Sequence, residues 1–197
     1  MGMQHEVDAA TGLISGAEFR SSPHCDERPA GMAIDLLVIH GISLPPGEFG
    51  GPWIEQLFLG KLPPDAHPYF KEIAALKVAA HLLVRRDGSL VQFVPFHKRA
   101  WHAGASKFQG REACNDFSIG IEIEGDDQTP YAAPQYGALA CVTAALMRAY
   151  PGITTAHIVG HSDIAPGRKT DPGPAFDWMR YRDILASQPL AGSTTQP

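Results

Sequence analysis

Seven residues of the 197-residue chain, Ser118-Ile-Gly-Ile-Glu-Ile-Glu124, alternate between apolar and polar positions. Successive side chains of a strand point to opposite faces, so Ile119, Ile121 and Ile123 share one face and Gly120, Glu122 and Glu124 the other. The chain must therefore build a sheet here, with one face on a core and two carboxylates on the far side. Leu36-Leu-Val-Ile39 is a second strand, apolar throughout as a strand buried on both faces would be. It stops at His40, before the Pro- and Gly-rich loop Gly41–Pro52.

The remaining elements fit around that sheet. Trp53–Leu59 reads as a short helix, and Lys77–Val84 and Leu90–Val94 flank a hairpin turn at Asp87-Gly88. Ala133–Tyr150 is the strongest helix: Pro134 suits a first turn, Leu139, Val142, Leu146 and Ala149 form a stripe, and Pro151-Gly152 stops it. His157–Gly160 is expected as a last strand and Phe176–Leu185 as a last helix. The expected fold is α/β (α+β): a single domain with a central mixed β-sheet flanked by helices. Residues 1–30 read as a loop-rich N-terminal extension, 31–186 as the domain and 187–197 as a flexible tail.

Composition excludes several function classes. The net charge of -5 offers no basic field for nucleic acid or an anionic membrane. No apolar stretch approaches the roughly 20 residues that cross a bilayer. Met1–Arg20 carries Asp8 and Glu18 and lacks the apolar core of a secretory signal, so the cytoplasm is the expected compartment. No obligate protein partner is implied. Cys25, Cys114 and Cys141 are widely spaced and odd in number, which points to free thiols. A metal would be held by carboxylates and some of the nine His residues.

Three features carry possible chemistry: His40 at a strand end, Glu122 on the polar side of its strand, and the loop His161-Ser-Asp-Ile-Ala-Pro-Gly-Arg-Lys-Thr-Asp171. A catalytic zinc takes three protein ligands and keeps a fourth position open, a need that two His and one Asp would meet. The spacing lacks the helical geometry that makes H-E-x-x-H specific. Each residue also has a plainer reading: a hydrogen-bonded His40, a solvated Glu122 and Glu124, surface charge at Arg168 and Lys169, and a turn at Asp171-Pro172. His81, inside an apolar run, reads as a satisfied core histidine.

The combination is more specific than its parts. Val38-Ile-His40, Ile42-Ser-Leu-Pro-Pro-Gly-Glu-Phe-Gly50, Ala80-His81, Arg86-Asp-Gly88 and Ala100-Trp-His-Ala-Gly104 resemble the AmpD group of N-acetylmuramoyl-L-alanine amidases. So do Gly110 to Glu122, Gly160-His-Ser-Asp-Ile-Ala-Pro-Gly-Arg-Lys-Thr-Asp-Pro-Gly173 and Ala175-Phe-Asp-Trp178. The wider family includes phage-lysozyme-type amidases and peptidoglycan recognition proteins. The resemblance runs from Ser22 to Tyr181.

It implies Zn2+ held by His40, His161 and Asp171, a catalytic Glu122 and a catalytic Lys169. Glu122 would act as general base and then acid, and Lys169 would stabilise the oxyanion of a one-step hydrolysis. Glu124 shares the face of Glu122, and His157 lies near His161; the resemblance chooses Glu122 and His161. A muropeptide substrate makes Lys77, Arg111 and Asn115 candidate contacts for peptide carboxylates, with Trp101 and His102 lining the cleft.

The implied reaction is release of the stem peptide from 1,6-anhydro-muropeptides during cell-wall recycling, which in some bacteria controls β-lactamase induction. Cleavage of polymeric peptidoglycan and non-catalytic recognition of it are the alternatives. The chain departs from the group at Gly41, where Asn is usual; one lost substrate contact would cost about 1 kcal/mol.

Overall fold

The computed structural model describes residues 5–189, so residues 1–4 and the part of the expected tail from 190 onward lie outside the described residues. In chain order the elements are β1 (Glu18–Phe19), β2 (Cys25–Asp26), β3 (Leu36–Ile42), α1 (Trp53–Phe58), α2 (Phe70–Ile73), β4 (Leu82–Val84) and β5 (Leu90–Gln92). They continue with β6 (Arg99–Ala100), β7 (Lys107–Phe108), β8 (Arg111–Glu112), β9 (Ser118–Glu124), α3 (Ala133–Ala149), β10 (Ile158–Gly160), α4 (His161–Ile164) and α5 (Trp178–Ala186).

The alternating segment is β9, and it lies inside a mixed six-stranded sheet of order β1-β5-β4-β9-β3-β10. Within this sheet β4 and β5 pair antiparallel, in the expected hairpin, and the other four pairs are parallel. The isoleucine face of β9 packs with Leu37, Ile39, Leu82 and Val84 onto α3 and α5. A 2.8 Å contact between the Thr143 and Tyr181 hydroxyls joins those helices, so the two buried hydroxyls satisfy each other. Each isoleucine so buried contributes about 1.5–3 kcal/mol.

The opposite face is divided. Leu83, Val91 and Phe93 pack against α1 and α2. Leu36 and Val38 pack against Ala103, Phe117 and Ile164. The site lies between these two clusters, on the face away from α3.

Three elements differ from expectation. β3 runs through His40 to Ile42 because β9 pairs with it along its whole length, Ile42 opposite Glu124. The expected strand before the hairpin is shortened to β4, since the chain up to His81 bonds elsewhere: Ala79 N–H donates to the Trp101 carbonyl and His81 N–H to the Gly120 carbonyl. The N-terminal extension is woven into the domain. β1 extends the sheet beside β5, β2 pairs with β6, Ile14 is in the core, and Arg28 donates to the carbonyls of Phe96, Asn115, Asp116 and Ser118. No helix of the described residues is long and apolar enough to cross a membrane.

Candidate metal centre

The carboxyl ends of the parallel strands β3, β9 and β10 lie side by side, and in open sheets with parallel strands such ends are where ligands bind. Register places His40 of β3 opposite Glu122 of β9, and Gly160 of β10 opposite Ile39. His161, the first residue of α4, therefore emerges beside His40. The loop beyond α4 is folded back by Ser162 N–H, which donates to the Asp171 carbonyl at 3.0 Å.

This brings three donor atoms together. His40 Nδ1 lies 3.0 Å from His161 Nδ1 and 3.2 Å from Asp171 Oδ2, and His161 Nδ1 lies 3.1 Å from the same oxygen. Metal–ligand bonds of about 2.0–2.1 Å in a tetrahedron put donor atoms about 3.3 Å apart, so the triangle fits zinc. The donor chemistry fits as well. His161 Nε2 is 3.1 Å from the Ala103 carbonyl, which can only accept, so Nε2 carries the proton and Nδ1 presents a lone pair.

Burial favours the neutral form of His40, the form a metal ligand takes. His40 is 1% and His161 3% exposed. Burial pushes His40 down to about 4, only partly offset by Asp171. Burial alone would raise the Asp171 carboxyl, but hydrogen bonding to His161 and His40 holds it well below the usual carboxylate range.

Glu122 completes the floor. Its Oε2 is buried without a hydrogen-bond partner. Burial, and then the charge of Asp171, raise its pKa well above the ordinary value, while Lys169 pulls the other way. Glu124 on the same strand face is engaged differently: its carboxylate accepts from Gly50 N–H at 2.6 Å and Arg86 N–H at 3.0 Å. It pins the loop after β3 to the hairpin turn, which separates two residues that strand periodicity alone left equal.

A cleft of about 710 Å³ opens above these groups, walled by Trp101 and His102 on one side and bearing Arg168 and Lys169 on its rim. The other expected substrate contacts, Lys77, Arg111 and Asn115, are not among the residues that line it. Arg111 pairs with Asp35 at 2.9 Å and stacks over the Phe117 ring at 3.9 Å. Asn115 Oδ1 accepts from the backbone N–H of His102 and Ala103, behind the wall. Lys77 is exposed, and it is its neighbours Leu76 and Val78 that line the cleft. His157 Nδ1 lies 2.9 Å from the Asp35 carbonyl, away from the donor triangle. His81 is held within the fold, its Nδ1 accepting from Gly120 N–H at 3.0 Å.

Some neighbours of the site carried no sequence signal. Arg168 reads as surface charge, yet its Nη2 donates at 2.7 Å to the carbonyls of both Ala103 and Ala105. Gly41 lies close under Tyr131: a Cβ there would run into the Tyr131 hydroxyl and come within 3.3 Å of Pro172 Cα, so a side chain at this position requires that ring to shift. That hydroxyl donates to the Pro172 carbonyl at 3.0 Å, bracing the residue that follows Asp171.

Comparison with known proteins is consistent with this geometry. Residues 30–174 match the N-acetylmuramoyl-L-alanine amidase family. The chain is 60% identical over 177 residues to the 1,6-anhydro-N-acetylmuramyl-L-alanine amidase AmpD of Escherichia coli, covering 90% of this chain and 96% of that protein. A crystal structure of a selenomethionine AmpD derivative superposes with a TM-score of 0.87 at 59% identity, covering 89% of this chain and 97% of that one. The amidase AmiD from Escherichia coli, solved in complex with the substrate anhydro-N-acetylmuramic acid-L-Ala-D-gamma-Glu-L-Lys, matches at a TM-score of 0.58 and 26% identity, covering 80% of this chain and 60% of that one.

Proposed function

The chain belongs to the N-acetylmuramoyl-L-alanine amidase family, and on that premise we propose that it is a zinc-dependent hydrolase of the amide joining 1,6-anhydro-N-acetylmuramic acid to the L-alanine of a stem peptide. The observation that carries the zinc assignment is the triangle of His40 Nδ1, His161 Nδ1 and Asp171 Oδ2 beside the unpartnered Oε2 of Glu122. The substrate class rests on the relatives named for it and on a cleft large enough for a small muropeptide.

Bound at the triangle, zinc supplies a Lewis acid that makes water a usable nucleophile near neutral pH and polarises a carbonyl. Glu122 takes a proton from the attacking water at its free oxygen and delivers it to the amine nitrogen as the C–N bond breaks. Its raised pKa, set by burial, suits a group that must both accept and release that proton. Lys169 places a cation on the rim, where negative charge develops on the carbonyl oxygen. Trp101 offers a flat apolar wall to the sugar or peptide. Such an enzyme would serve the recycling of wall fragments in the cytoplasm, and in some bacteria β-lactamase induction responds to that recycling.

The test is product analysis after incubation with anhydro-muramyl tripeptide. The expected products are the free sugar acid and an intact tripeptide with a new L-alanine amino terminus. Cleavage within the peptide, or binding without cleavage as in a recognition module, would contradict the proposal.

A further inference from the structure

Both metal-facing histidines turn their second ring nitrogen to the same dipeptide. His40 Nε2 lies 2.9 Å from His102 Nδ1, and His161 Nε2 donates to the Ala103 carbonyl. The His102 ring is anchored beyond His40, with its Nε2 3.2 Å from Ser118 Oγ. It lies flat against Gly120, where a Cβ would run into the ring. The dipeptide is itself gripped from two directions. Asn115 Oδ1 accepts from His102 N–H at 3.1 Å and Ala103 N–H at 2.8 Å, and Arg168 holds the Ala103 carbonyl from the solvent side at 2.7 Å.

We propose that His102 and Ala103 form one positioning bracket, set by Asn115 and Arg168, that fixes which nitrogen both zinc histidines present. The proposal rests on the zinc reading above. If His40 is to offer Nδ1 to a cation, its proton must sit on Nε2 and be accepted by His102 Nδ1. His102 must then carry its own proton on Nε2, where Ser118 Oγ can accept it. The Ala103 carbonyl enforces the same tautomer on His161. Because one dipeptide serves both rings, a shift of this turn would disturb both ligands together. Asn115 and Arg168 are thereby positioning residues of the metal centre, acting through the wall of the cleft.

The experiment is zinc affinity of the full-length protein by competition with a chromophoric chelator, alongside the thermal midpoint of each metal-free variant. His102→Leu is expected to weaken zinc by about 10–100-fold, the usual effect of losing a partner of a ligating histidine. His102→Asn, which puts an amide oxygen near the place of Nδ1, should recover most of that loss. Asn115→Leu should weaken zinc while Asn115→Asp, which keeps the acceptor, should not. This pair keeps the test decisive if His102→Leu fails to fold. Lys71→Ala, on the exposed surface, serves as the comparator. Wild-type binding with all four variants equal to Lys71→Ala would overturn the bracket and leave the zinc reading standing. Equal weakening by the Leu and conservative variants would also overturn it, since packing alone would explain that. A wild-type protein without zinc affinity would overturn both.

Discussion

His40 and Glu122 stand opposite each other in the parallel register of β3 and β9, so one ladder sets an imidazole of the His-His-Asp triangle beside an unpartnered carboxylate. The proposed acid–base group is thereby fixed to the sheet rather than to a mobile loop. Positions on rigid elements hold geometry better than loops do.

Glu122→Gln keeps the shape of the side chain and removes its ability to take a proton. We expect kcat to fall about 100- to 10,000-fold, the usual span for a general acid–base group, with zinc affinity little changed. Rate and metal affinity measured on the same preparation check this. A parallel loss of both would instead make Glu122 part of metal retention.

Lys169 lines the cleft, and the role proposed for it is to meet charge that develops only during reaction. Lys169→Ala should lower kcat about 100- to 1,000-fold, as removal of one oxyanion donor does, with little change in KM. A rise in KM alone would make Lys169 a substrate-binding group.

Ile121 is fully buried at the centre of β9, between Ile39 and Leu82 in register. Ile121→Ala should destabilise the protein by about 2–5 kcal/mol through lost burial and the cavity left behind. Urea unfolding measures it, and a loss below about 1 kcal/mol would mean that the sheet face collapses to fill the space.

Burial, and then the charge of Arg28, push His81 down to about 3. An unfolded chain holds this proton below about 6.5. Between those values the unfolded state binds more protons, so stability from His81 is complete above about pH 6.5 and is lost as pH falls towards 3. Glu122, raised in the folded state, contributes with the opposite sign as pH rises above its ordinary value. Comparing wild type with His81→Gln at pH 7 and pH 5 isolates the histidine: the variant should lose less stability between the two. Equal losses would show that His81 is not held neutral.

How much of this was legible in the sequence depends on the kind of signal. β9 and α3 were, because long segments with a clear period leave little choice. β1, β2, β6, β7 and β8 were not: each is two residues long, too short for any period, and the partners of β1 and β2 lie far along the chain. That is why residues 5–30 read as a loose extension and yet are built into the sheet and core. In the site, His40, Glu122, His161 and Asp171 came from the resemblance, since spacing left Glu124 and His157 open, and the structure then separates them by their backbone partners. Arg111 and Asn115 read as substrate contacts because the muropeptide implied by the resemblance carries peptide carboxylates that such side chains can bind. Their direction depends on an ion pair with Asp35 and on two backbone N–H groups, which no residue pattern encodes. The Ala103 carbonyl is invisible for the same reason, because main-chain atoms carry no signature of their residue.

The most direct test of zinc dependence is release of tripeptide from anhydro-muramyl tripeptide by protein stripped with a chelator and then titrated with zinc. The account predicts no release after stripping, full recovery near one zinc per chain, and no recovery in Asp171→Ala. Stripped protein that cuts as fast as the zinc-loaded form would contradict it.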